Sequence, residues 1–145
     1  MITKILVPID LQHTANHGEI LRVASILANS DGGSVVLMTV VEPPPVIVSQ
    51  YLPKRFETQM TQSTTTELKK LAESMAVTSG PAESTVRFGS VYKEILNHAE
   101  TIGADLIVMG SHEPSVGDYL LGSNASRVVR HATCSVHIVR LQGDG

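Results

Sequence analysis

The stretch from Ala104 to Val139, ADLIVMGSHEPSVGDYLLGSNASRVVRHATCSVHIV, decides the fold. It opens on a short apolar run ending at Gly110 and passes through a polar excursion that carries Pro114. From Gly122 it resumes with Ala125, Val128, Val129 and Ala132 at helical spacing, and it closes on a second apolar run, Cys134–Val139. Apolar runs of this length, bounded by turn formers, read as strands buried on both faces. Parallel strands need a crossover between them, usually a helix, so strand–helix–strand here predicts one βαβ unit.

The same grammar runs through the rest of the chain. KILVPI (Lys4–Ile9) predicts a first strand, and Ile20, Val23, Ala24 and Leu27 mark a helix that NSDGG at 29–33 brings to an end. SVVLMTVVE (Ser34–Glu42) predicts a central strand, after which the prolines of EPPPV break regular structure. A polar helix is expected from Phe56 to about Ala76, with Leu68, Leu71 and Met75 on one face. A third strand follows at Ser84–Gly89, then a helix striped by Ile95, Leu96, Ala99 and Ile102 and stopped by Gly103. The expectation is an α/β fold: a single doubly wound five-stranded parallel sheet of order 3-2-1-4-5, helices on both faces, Rossmann-like. One domain spans residues 1–141, and 142–145 form a flexible tail.

Composition agrees with an ordered domain of this size. Of the 145 residues, 42% are hydrophobic and 17% charged, while only 3% are aromatic, so the core is built from Val, Ile, Leu, Ala and Met. A net charge of -3 and few stacking rings argue against a nucleic-acid partner. No apolar run approaches the roughly eighteen residues that span a bilayer, and no leader pattern opens the chain, so neither membrane insertion nor export is expected. The one cysteine, Cys134, is expected in the core, and a reducing, cytoplasmic compartment fits it.

In a doubly wound sheet ligands bind beyond the carboxyl ends of the strands, where the strand order reverses. Asp10 and Gly110, ending the first and fourth strands, would flank that crevice. Asp10 either accepts hydrogen bonds from ribose hydroxyls or makes a cap or Asx turn ahead of the first helix; its placement opposite Gly110 favours the ligand. Gly122, Ser123 and Asn124 open the last helix, whose first amides lack intrahelical acceptors and suit a phosphate oxygen; the alternative is that Ser123 or Asn124 caps the helix. His112 could touch phosphate or be only solvated. His13, His17, His131 and His137 lack neighbours at ligand spacing, so no metal site is expected. The chain has no P-loop, no dinucleotide glycine fingerprint and no nucleophile elbow.

With ILVPID at its start, VVLMTVVE as second strand, FGSVYKEIL before the third helix and DLIVMGSH…LLGSNASRVVRHATCSVHIVR at its end, the chain closely resembles the universal stress protein family. The resemblance covers essentially the whole domain and is most specific from Asp105 to Arg140. It implies five parallel strands and, as in many members, ATP in the crevice. Pro8, Ile9 and Asp10 match the segment that meets adenosine, with Asp10 at the ribose; Val40 matches the residue whose backbone reads adenine. Met109 and Gly110 match the strand end beside the nucleotide, and Gly122, Ser123 and Asn124 the phosphate-binding turn.

The family's ATP pattern is Gly, two residues, Gly, nine residues, Gly, then Ser or Thr. Here Glu113 replaces the second glycine and eight residues separate it from Gly122. A carboxylate there repels the terminal phosphate unless it turns to solvent or a cation bridges it. A similar shortened loop ending in YLLGSNA marks the branch that this chain resembles.

The resemblance therefore implies an ATP-binding regulator of stress responses, with AMP or ADP as alternative ligands, Mg accompanying the nucleotide, and a homodimer paired through the fifth strand, a tetramer remaining open. The alternatives are a slow ATP hydrolase using His112 or Glu113, and a nucleotide-free dimeric interaction module.

Overall fold

The computed structural model describes residues 1–12, 17–43, 50–51, 55–111 and 121–140. Among the described residues nine elements follow one another: β1 (Lys4–Pro8), α1 (His17–Asp31), β2 (Ser34–Val41), α2 (Phe56–Ser74), β3 (Glu83–Phe88), α3 (Val91–Ile102), β4 (Leu106–Gly110), α4 (Ser123–His131) and β5 (Ser135–Val139). All strand pairs are parallel and the sheet order is β3-β2-β1-β4-β5, as the sequence predicts.

The alternation of side chains along each strand divides the core into two layers. Ile5 and Val7 of β1, Val35 and Leu37 of β2 and Val108 of β4 face one way, against Ile20, Ala24 and Ala28 of α1 and Leu68 and Ala72 of α2. Leu6, Val36, Met38, Ile107 and Met109 face the other way, against Ile95 and Ala99 of α3 and Ala125 and Val128 of α4. Chain order and the right-handedness of βαβ crossovers require this split: the path runs outward from β1 to β3, then jumps back over β1 to β4. That jump creates the switch point between β1 and β4.

Burial on both faces explains why the central strands β1, β2 and β4 are predominantly apolar. Leu6, Leu37 and Ile107 are fully buried, and each such side chain contributes about 1.5–3 kcal/mol relative to an exposed one. The helices meet the sheet on narrower stripes than their apolar residues suggest. In α1 the buried apolar positions are Ile20, Ala24 and Ala28, with Val23 and Leu27 packed at the margin. In α4 Val129 is 46% exposed, a correction to its expected core place; Ala125 and Val128 alone reach the sheet, since successive residues on a helix point about 100° apart.

At the amino ends of the strands Asp105 ties β4 to β1. One carboxylate oxygen accepts from the Thr3 amide (2.8 Å), the Thr3 hydroxyl (2.6 Å) and the Lys4 amide (2.9 Å). These bonds, the Thr3 hydroxyl first, hold its carboxyl below the ordinary aspartate value. Gly103 stops α3 in the left-handed conformation (φ 66°), its amide turned back to the carbonyls of Ala99 and Glu100. The chain can then enter β4 directly, and everything distinctive lies at the opposite, carboxyl edge.

Candidate functional site

The sheet opens at its switch point. β1 pairs with β2 along its whole length, from Lys4↔Ser34 to Pro8↔Met38, but with β4 only at Ile5↔Leu106 and Leu6↔Ile107. Pro8 has no amide to donate, so its place at this strand end leaves no ladder position empty.

Past Pro8, several contacts hold the chain. The Ile9 amide donates to the Met38 carbonyl (2.8 Å), and the buried Thr39 hydroxyl donates to the Ile9 carbonyl (2.8 Å). Asp10 is exposed, and its Oδ1 accepts the Gln12 amide (3.0 Å), an Asx turn. His17, the first residue of α1, is buried with Nε2 2.6 Å from the Asp10 carbonyl. A carbonyl only accepts, so Nε2 carries the proton in this contact. The Asx turn anticipated as an alternative for Asp10 is therefore present.

On the other side of the opening, Gly110 pairs with Val139, the Ser111 amide donates to the Val139 carbonyl (3.0 Å), and the Gly122 amide donates to the Ser111 carbonyl (3.2 Å). These bonds seat the start of α4 beside the end of β4. Gly122 is the N-cap residue (φ -59°, ψ 157°), its carbonyl accepts the Ser126 amide (2.9 Å), and as a glycine it supplies no side-chain cap of its own. The alternative of a Ser123 or Asn124 cap is thus not what the chain adopts. The amino end of a helix carries the positive end of the helix dipole, which favours an anion.

The predicted residues distribute as follows. Pro8, Ile9 and Asp10 lie at and just past the end of β1; Met109 and Gly110 end β4; Gly122, Ser123 and Asn124 begin α4. Val40 lies near the end of β2, half-buried against the α3/α4 core layer. His112 and Glu113 lie outside the described residues, as does His13. Among the described residues no group of three or more His, Cys, Asp or Glu could hold a metal ion.

Three contributors were not legible as such: His17, Thr39 and Ser111. His17 gave the best clue, since a histidine opening an amphipathic helix seven residues after a strand-end Asp lies within reach of that strand end.

Cys134 departs from expectation. It is half-buried and lines a shallow hollow of about 280 Å³ between the carboxyl ends of α3 and α4, remote from the strand carboxyl ends. Its partial burial pushes the thiol above its ordinary pKa, so the protonated form is favoured.

The model of the Universal stress protein family matches residues 1–140. The chain belongs to the universal stress protein family. Universal stress protein G of Shigella flexneri is 34% identical over 144 residues, covering 97% of this chain and all of that protein. Among solved structures, universal stress protein UspA from Lactobacillus plantarum shares 23% identity with a TM-score of 0.76, covering 96% of this chain and 98% of its own. A universal stress protein in complex with cAMP (16% identity, TM-score 0.62, 95% and 97% coverage) has the same fold. So does one from Archaeoglobus fulgidus in complex with dAMP (22%, TM-score 0.59, 95% and 98%). Universal stress proteins of this fold are thus known with adenine nucleotides bound. Among the described residues no helix of this chain is long and apolar enough to cross a membrane.

Proposed function

We propose that this universal stress protein binds an adenine nucleotide in the β1/β4 crevice and acts as a regulator in stress responses. The observation that carries the proposal is the meeting of two features at one opening: the Asp10 carboxylate at the end of β1, and the α4 amino terminus seated by Gly122 and Ser111 beside β4. The two fit opposite ends of one molecule. A carboxylate accepts from ribose hydroxyls, and a helix amino terminus donates to phosphate oxygens. The cAMP and dAMP complexes of other members support an adenine nucleotide as the ligand class.

In this reading Pro8, Ile9 and Asp10 meet adenosine, the Val40 backbone reads adenine, and Met109 and Gly110 line the wall. The turn Gly122–Asn124 takes the phosphates, with His112 beside them. ATP is the proposed physiological ligand, with ADP or AMP as poorer ones; Mg, when bound with the nucleotide, offsets phosphate charge. The chain works in the cytoplasm as a homodimer joined through β5, the edge strand beside β4. Bound nucleotide changes the surface beside α4 and so alters which proteins the dimer engages.

Titration calorimetry of the folded protein with ATP, ADP, AMP and adenosine, each with and without Mg, tests this. Mass spectrometry of gently purified protein for carried-over nucleotide complements it. Saturable binding supports the proposal, and its absence for every adenine compound rejects it.

A further inference from the structure

We infer that His17 is a positioning residue for Asp10: it holds the backbone of Asp10 from the protein side, so that the carboxylate is presented to the crevice in one orientation. The inference rests on the nucleotide-binding reading of that crevice and extends it to a residue that touches no ligand.

Beyond Pro8 the β1 backbone leaves its ladder with β2 and its carbonyls need other donors. Side chains supply them in sequence. Thr39 of β2 takes the Ile9 carbonyl at 2.8 Å, and His17 of α1 takes the Asp10 carbonyl at 2.6 Å. Both donors are buried, with relative exposures of 4% and 6%. The Gln12 amide is drawn to Asp10 Oδ1 at 3.0 Å, and the Leu11 side chain packs inward on the α1/α2 core layer. Residues 9–12 are therefore fixed by their amides, carbonyls and one apolar anchor, while the Asp10 side chain faces out, where it is exposed.

This arrangement is preorganisation: the ordering of a binding group is completed on folding instead of at ligand binding. His17 is the member that a plain helix start does not require. A Ser, Asp or Asn at a helix start would cap its own helix; the ring instead reaches back to the preceding strand end, coupling α1 to Asp10. Its bond selects the Nε2–H tautomer, because the acceptor is a carbonyl. A side chain with a donor at the same reach can replace it, whereas an apolar side chain of similar volume leaves the Asp10 carbonyl without that donor.

Two measurements test this. In wild-type protein, nitrogen-15 spectra of the imidazoles should show His17 protonated at Nε2; a neutral ring protonated only at Nδ1 overturns the inference. Binding and exchange are then compared in His17→Leu and His17→Gln. In the leucine variant, hydrogen exchange at the Gln12 amide should rise and ATP affinity fall by about tenfold each, the equilibrium equivalent of losing one buried hydrogen bond. In the glutamine variant most of both losses should be recovered, at equal thermal stability of the two variants. Unchanged Gln12 exchange in folded His17→Leu, or unchanged affinity where wild type binds, overturns it. Should the leucine variant not fold, the wild-type tautomer and the glutamine variant decide. Should wild-type protein bind no adenine nucleotide, the proposed ligand is wrong, while the tautomer and Gln12 exchange still report whether His17 holds Asp10.

Discussion

The Gly122 amide donates to the Ser111 carbonyl at 3.2 Å, joining the start of α4 to the residue that follows β4. Ser111 in turn donates its own amide to Val139 of β5. The end of one strand, the start of a helix and the edge strand are thus locked together, and the amino end of α4 is placed by the sheet.

Asp10 should dominate the ribose end. Hydrogen bonds to a charged group are worth about 1.5–3 kcal/mol, so Asp10→Ala should weaken ATP, AMP and adenosine alike, by about tenfold to a hundredfold. Asp10→Asn keeps an acceptor for the Gln12 amide but loses the charge, and should fall between. Calorimetric titration of the three ligands reads this; an alanine variant with wild-type affinities would remove Asp10 from the site.

Ser123→Pro isolates the phosphate end. Ser123 is the first residue of α4, where proline is tolerated because that amide makes no intrahelical bond. The preceding Gly122, at φ -59° and ψ 157°, already has the extended geometry a pre-proline residue adopts. The variant should fold normally, bind adenosine as wild type does, and lose about fivefold to twentyfold in ATP affinity, from one missing charge-assisted donor. Equal losses for adenosine and ATP would mean that the amide serves the fold and not the ligand.

The core is equally open to test. Leu37 is fully buried in the central strand β2 against the α1/α2 layer. Leu37→Ala should cost about 2–5 kcal/mol in denaturant unfolding. Val129→Ala, at a position 46% exposed, should change stability by less than about 0.5 kcal/mol.

Asp105 gives stability a pH dependence of fixed sign. Its carboxyl is lowered from 3.8 by the Thr3 hydroxyl, the Thr3 amide and the Lys4 amide. A depressed folded-state value means that the contribution is fully present above the unfolded value and is lost as pH falls through the folded one. The difference in urea midpoint between wild type and Asp105→Ala should be constant near neutrality and shrink as pH drops below about 4. A gap that stays constant through acid would show that the carboxylate charge plays no part in tying β1 to β4.

Much of this was visible in the linear chain. Central parallel strands bury both faces, so KILVP, SVVLMTVV and LIVMG are predominantly apolar and could be found with boundaries off by one or two residues. Strand–helix alternation, with a handedness that leaves few topologies, pointed to a doubly wound sheet, within which the order 3-2-1-4-5 was expected and is found. The candidate residues at strand ends and at the start of α4 followed from that order. Helix stripes were less legible: Ala28 and Ala72, not Leu27 and Leu71, are fully buried, since small residues allow the closest helix–sheet approach and hydrophobicity alone does not report it.

The sequence by itself therefore determined the class of fold and, with it, the strand ends that form the carboxyl edge at the switch point, because these depend on periodicity, chirality and chain order, all of which are local or combinatorial. Tertiary structure decided how that edge is held. His17 reaches back to the Asp10 carbonyl, Thr39 crosses to that of Ile9 from the neighbouring strand, and Ser111 takes the Gly122 amide. Each of these bonds depends on two elements meeting at hydrogen-bond distance, about 2.6–3.2 Å, a condition that packing sets and residue identity alone does not.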